Sequence, residues 1–312
     1  MRSFHVILLA AFACFHLSDV HSQERALPPD VSDTSYGPFN RNKLDLWLPK
    51  TTAKKETPLL LFIHGGGWSG GDKSKVSSSL VKTLLAKGIA VSSMNYRLTT
   101  TGEDKAFYPA QMHDAARAVQ YLRANARRWK LDTNRFATTG SSAGAVMSLW
   151  LAFHDDMADA NSPDEVLRES TRLICAGASN VPTTFERSTL MRWFGTKELI
   201  EHSALPRFWG VSEIDEYDQP EVKMRIIDAS PITHLSSDDP PVFLDYQLAD
   251  TAVDGKTPPG NWVHHPRLGI ELGKRAREDG VEFHILYGDS PADPKYKTQL
   301  DFLADKLLAP SL

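Results

Sequence analysis

Serine lies at the centre of Gly140-Ser141-Ser142-Ala143-Gly144, the spacing G-x-S-x-G. A hydroxyl becomes a useful nucleophile only when a base takes its proton and the backbone holds it clear of its surroundings. The flanking sequence offers that second condition. Arg135 to Thr139 reads as a β-type run, and Ala143 to Phe153 as an apolar helix. A strand-to-helix turn this tight puts its central residue under strain. Small residues at Gly140 and Gly144 relieve the crowding, and Ser142 Oγ is presented above a sheet. The first turn of the helix adds unpaired N–H groups, Ala143 among them, and a positive dipole end.

A second cluster, His64-Gly65-Gly66-Gly67-Trp68, follows the apolar run Leu59 to Ile63. Attack on an acyl carbonyl places negative charge on its oxygen, and preorganised backbone donors near that oxygen lower the barrier. Glycine lets the main chain approach a ligand without a Cβ in the way. Gly65 and Gly66, with Ala143, are therefore the candidate oxyanion donors. His64 reads as a residue that shapes this loop rather than as a base.

These residues need a scaffold, and the rest of the chain supplies one. Leu44 to Leu48 alternates like an edge strand, and Leu59 to Ile63 is continuously apolar, as in a strand covered on both faces. Further strands are expected at Ile89 to Tyr96, Phe136 to Thr139, Leu173 to Ala178, Pro241 to Tyr246 and Val281 to Tyr287. Helical periodicity marks Ser77 to Ala86, Ala110 to Arg128, Ala143 to Phe153, Leu268 to Ala276 and Gln299 to Leu307. Such alternation predicts an α/β fold, with a mostly parallel central sheet and helices on both faces. Residues 183–234 break the rhythm. They carry Trp193, Phe194, Phe208 and Trp209 among charged residues, as expected of a cap over the site or of an excursion with its own small core.

With both motifs on their expected elements, the chain resembles the α/β-hydrolase superfamily, in the branch shared by hormone-sensitive-lipase-like and feruloyl/acetylxylan-type esterases, the BD-FAE-like group. Matching segments run from Tyr36-Gly37 and Leu44 to Pro49 through His64 to Trp68. They continue through Gly71-Asp72-Lys73, Asn95 to Leu98, Tyr108 to Gln111, Asp114, Gly140 to Gly144, Ala229 to His234 and Asp239-Pro240-Pro241. The resemblance covers the chain from about Tyr36 onward. It implies hydrolysis of carboxylic esters, of small molecules or polysaccharides, by a serine–acid–histidine triad without cofactor or metal.

The same resemblance implies an acid after the strand that follows the cap. The family's glycine, two residues, Asp, two residues, Val pattern falls on Gln247 to Val253, with Gln247 replacing the glycine. That nominates Asp250, with Asp254 as its nearest rival. The histidine departs from the family. It belongs just after the last strand, where this chain has Gly288 to Pro294, and no histidine follows His284. His284 lies inside the strand and should point into sheet packing.

Two readings stay open. In one, His264 or His265 supplies the base, held at the carboxyl edge of the sheet by Pro266 at a helix start. It would pair with Asp250, or with Asp289 or Asp293. In the other, the site is catalytically degenerate and the protein binds its ligand without efficient turnover. Asp114 is expected to pair with Arg97 or Arg135. His113, His154 and His202 read as surface or cap residues, and His234 as a loop-packing residue.

Composition sets outer limits. The chain has 312 residues, 41% of them hydrophobic, and a net charge of −4. That argues against a nucleic-acid binder. Arg2, the apolar stretch Phe4 to Leu17 and small residues near Ser22 read as a signal peptide over residues 1–22, which predicts a secreted or periplasmic protein. Residues 23–35 read as an extended arm before a single domain at 36–312. No later stretch is apolar enough for a membrane span. Cys14 and Cys175 are the two cysteines. Removal of the leader would leave Cys175 without a partner, as a small buried apolar residue.

Overall fold

The computed structural model describes residues 27–50, 56–100 and 105–309. The expected signal peptide, Cys14 and the start of the arm lie outside them. Eight strands form one sheet in the order β1-β2-β4-β3-β5-β6-β7-β8. They are β1 (Val31–Ser35), β2 (Lys43–Trp47), β3 (Thr57–Ile63), β4 (Ala90–Met94), β5 (Leu131–Ser141), β6 (Cys175–Ser179), β7 (Val242–Asp245) and β8 (Phe283–Leu286). β1 and β2 pair antiparallel with each other, as do β2 and β4. Every pairing from β4 through β3 to β8 is parallel.

Two expectations change here. The arm at 23–35 contains β1, which joins the sheet. β2, expected at the edge, is therefore the second strand. β1 is polar and mostly exposed, so it lacks the apolar alternation that would mark it in sequence.

The helices are α1 (Ser78–Ala86), α2 (Ala110–Ala124), α3 (Ala126–Trp129), α4 (Ala143–Phe153), α5 (Arg187–Phe194), α6 (Leu205–Trp209), α7 (Pro220–Asp228), α8 (Pro231–His234), α9 (Pro259–Val263), α10 (Pro266–Glu278) and α11 (Gln299–Leu308). Alternate residues of β3 face opposite layers. Leu59, Leu61 and Ile63 join Met112, Val119, Leu149 and Leu268 from α2, α4 and α10. Leu60 joins Val81, Leu84, Phe302 and Leu307 from α1 and α11. Each fully buried leucine contributes about 1.5–3 kcal/mol of apolar burial. Strand and helix order thus follow the expected α/β plan. Among the described residues, no helix is long and apolar enough to cross a membrane.

The expected helix Ala110 to Arg128 is broken at Asn125, between α2 and α3. Asp114 on α2 pairs with Arg97 at 2.7 Å, whereas Arg135 turns to Asp132. The 183–234 segment lies between β6 and β7 and holds α5 to α8, with Phe208 and Trp209 fully buried.

Candidate active site

The chemistry gathers where the parallel strands end, on the loops after β3, β5 and β7. Ser142 sits between β5 and α4 with φ 53° and ψ −120°. A positive φ at a non-glycine residue costs on the order of 1–3 kcal/mol, which the packing around it must hold. Neighbouring backbones show how. A Cβ on Gly144 would stand 2.0 Å from the Ile63 carbonyl oxygen, and one on Gly140 would stand 2.5 Å from it. Glycine at both positions lets the end of β3 press directly against the turn. Ser142 N–H donates to the Ser179 carbonyl at 2.9 Å, tying the turn to β6 as well.

The triple-glycine loop packs on the same turn. A Cβ on Gly65 would lie 2.6 Å from the Ser141 carbonyl oxygen and 3.4 Å from Ser142 Cβ. His64 governs the direction of this loop. Its ring is buried and stacks on Tyr96 with centroids 4.3 Å apart. Burial pushes its pKa down to about 4, so the ring is neutral at pH 7. Nδ1–H donates to the Gly65 carbonyl at 2.8 Å, and Arg41 Nη2 approaches Nε2 at 3.5 Å. Holding the Gly65 oxygen turns the other edge of that peptide, the Gly66 N–H, the opposite way. The Gly66 carbonyl in turn accepts from Ser69 and Gly70 N–H. Gly66, at φ 119°, requires glycine. His64 thus shapes the loop, as its position in the motif suggested. Ala143 opens α4, and no side chain caps that helix start.

One ring of the His-His pair reaches the serine. His264 Nε2 lies 2.9 Å from Ser142 Oγ. The Gly260 carbonyl, one turn earlier on α9, favours the charged ring. In the tautomer with its hydrogen on Nδ1, Nε2 accepts from the serine hydroxyl. Burial lowers the His264 pKa, the nearby His202 ring lowers it further, and the Gly260 carbonyl opposes both.

His265 faces elsewhere. It is the N-cap of α10, with Pro266 at the first helical position. Nδ1 accepts the Arg267 N–H at 3.1 Å, and Nε2–H donates to the Thr251 carbonyl at 3.0 Å. Both ring nitrogens are engaged in folding α10 onto the preceding loop, so His265 has none left for Ser142.

Asp250, nominated as the acid, does not orient the base. Its carboxylate is clamped by Arg267, at 2.6 Å from Nη2 and 3.2 Å from Nε. It lies 3.8 Å from His265 Nδ1, which is already an acceptor. The rival carboxylates are also engaged elsewhere. Asp254 binds Lys256 N–H and the Thr257 hydroxyl. Asp289 accepts the Asp250 N–H, and Asp293 holds His284 Nδ1 at 2.8 Å. His284 is gripped by Glu282 as well and stacks on Phe243. Among the described residues, the site is therefore a serine–histidine contact with no carboxylate bonded to that histidine. Sequence reasoning did not single out Gly260 beside the ring, because every peptide carries a carbonyl and no residue type signals one.

Two further histidines pack near the end of α4 and on α8. His234 Nε2–H donates to the Asp228 carbonyl at 2.6 Å, and His154 packs on Trp150. Among the described residues, no group of three or more His, Cys, Asp or Glu side chains is arranged to hold a metal ion.

A profile of the BD-FAE family matches residues 44–257. The chain belongs to the BD-FAE family. The matched span includes the glycine loop, Ser142 and Asp250 but stops short of His264. Among curated relatives, the probable carboxylic ester hydrolase LipM of Mycobacterium tuberculosis is 27% identical over 227 residues, covering 71% of this chain and 48% of LipM. Kynurenine formamidase avaC of Aspergillus versicolor is 28% identical over 162 residues, 48% of this chain and 55% of avaC. This BD-FAE chain thus spans about half the length of these relatives. In fold, it is similar to a truncated carbohydrate esterase from gut microbiota, with TM-score 0.66, 20% identity and coverage of 89% and 96% of the two chains. An acetyl ester-xyloside bifunctional hydrolase from Caldicellulosiruptor lactoaceticus gives TM-score 0.64, 19% identity and the same coverage.

Proposed function

We propose that this BD-FAE protein is a serine hydrolase of carboxylic esters. The single observation that carries the reading is the 2.9 Å contact from His264 Nε2 to Ser142 Oγ, at a serine held in a strained turn. In the first step His264 takes the Ser142 proton as Oγ bonds to the acyl carbon. The N–H groups of Gly65, Gly66 and Ala143 receive the charge on the carbonyl oxygen. His264 then returns the proton to the departing alcohol, leaving an acyl group on Ser142. Water, deprotonated by the same ring, releases the acid.

In this reading the Gly260 carbonyl, which favours the charged ring, is the group placed to orient it. It offers the imidazolium less charge stabilisation than a carboxylate would. The curated relatives named as ester hydrolases support the ester reading, and the carbohydrate esterases of similar fold make small acylated sugars or polysaccharide esters suitable first substrates. The competing reading, a binding protein without turnover, loses its main support because the missing histidine has a replacement within hydrogen-bond reach.

The test is hydrolysis of p-nitrophenyl acetate by wild type and Ser142→Ala. The proposal expects the variant to fall to the background rate, and equal rates would overturn it.

A further inference from the structure

One cap residue is fixed as firmly as the catalytic pair yet has no structural task for one of its atoms. His202 lies on the segment between α5 and α6. The adjacent Glu201 carboxylate is held at 3.1 Å by both Arg187 and Tyr217. The His202 carbonyl accepts the Leu205 N–H at 2.9 Å. The Ile200 carbonyl, two residues earlier, accepts Trp262 Nε1–H at 2.8 Å. Trp262 belongs to α9, the helix that carries Gly260 and ends at His264. The cap segment is therefore bolted to the element that aims the base.

On its other side the segment meets the glycine loop. A Cβ on Gly67 would stand 3.0 Å from Ala204 Cβ and 3.9 Å from His202 Cε1. The His202 ring thus borders the glycine loop, and charge on it disfavours charge on the His264 ring. Its tautomer is set. Nδ1 accepts the Ala204 N–H at 3.3 Å, so the hydrogen resides on Nε2. That N–H has no hydrogen-bond partner among the described residues.

The position also says which part of an ester would meet it. The carbonyl oxygen belongs with Gly65 and Gly66. The leaving oxygen must come to His264, which protonates it, so the alcohol part extends along the His264 side, where His202 stands. We propose that His202 is a specificity-determining residue whose Nε2–H hydrogen bonds an acceptor oxygen on the alcohol part of the bound ester. The inference rests on the serine-hydrolase reading and deepens it: favoured substrates carry a hydroxyl or ether oxygen a few bonds from the ester oxygen. A site built around a donor discriminates against a ligand that lacks the acceptor, because the N–H is left unpaired once the ligand covers it.

The test compares kcat/KM for 2-methoxyethyl acetate and butyl acetate, which differ by an ether oxygen in place of a methylene. The variants are His202→Phe, which keeps a ring without the donor, and His202→Gln, which restores an N–H. The ratio of the two values, methoxyethyl over butyl, should fall about three- to tenfold in His202→Phe relative to wild type. His202→Gln should recover most of it. A ratio unchanged in His202→Phe, including the case where both esters slow together, overturns the inference and leaves the esterase reading standing. A wild type that hydrolyses neither these esters nor p-nitrophenyl acetate overturns both.

Discussion

His264 and His265 are adjacent in the chain, and their rings serve opposite ends. His264 reaches 2.9 Å to Ser142 Oγ, while His265 folds back to accept the Arg267 N–H at 3.1 Å. The junction between α9 and α10 separates them. His264 ends one helix, where its ring turns to Ser142. His265 opens the next, where its ring takes up an unpaired N–H of the first turn. In the proposed mechanism, a base on this junction stands in for one that would have followed β8.

The pH dependence follows from the surroundings of His264. The ring must be neutral to accept the Ser142 proton, so kcat/KM falls as pH drops through its free-enzyme pKa. Burial and the His202 ring lower that pKa, and among the described residues no carboxylate bonds the ring to raise it. The acidic limb for p-nitrophenyl acetate should therefore have its midpoint below 6.5, the ordinary histidine value. A pH profile of kcat/KM measures this, and a midpoint above 6.5 would indicate a carboxylate partner.

Asp250→Asn separates this site from a full triad. Loss of a triad acid typically costs about 10⁴-fold in kcat. Here the carboxylate serves Arg267, in a pair with side-chain exposures of 21% and 36%. The variant should keep kcat/KM within about tenfold of wild type and lose about 0–1 kcal/mol of stability, since water screens the pair. Steady-state kinetics and urea unfolding check the two figures.

Gly144→Ala tests the packing that holds the turn. The new Cβ would fall 2.0 Å from the Ile63 carbonyl oxygen, with backbone on both sides unable to yield. A loss of more than about 4 kcal/mol is expected, seen as a fall in Tm on the order of 10 °C together with loss of activity.

Much of this site was legible in sequence because it is local. The turn around Ser142 and the loop from His64 to Trp68 each follow an apolar strand directly, so residue type and position coincide. The base was legible only as a pair of residues. Which ring turns inward depends on where α9 ends, on a cap segment bonded to Trp262, and on the capping need of α10. Asp250 was misread because Arg267, 17 positions away, captures its carboxylate. β1 was read as part of an arm because an exposed edge strand needs no apolar pattern.

The central claim is that His264 activates Ser142. Its most direct test is the rate at which a fluorophosphonate probe labels Ser142, followed by intact mass and peptide mapping, in wild type, His264→Gln and His265→Gln. The account predicts a single modified residue, Ser142, a rate slowed about 100-fold or more in His264→Gln, and a much smaller change in His265→Gln. Equal labelling of wild type and His264→Gln, or slowing confined to His265→Gln, would contradict it.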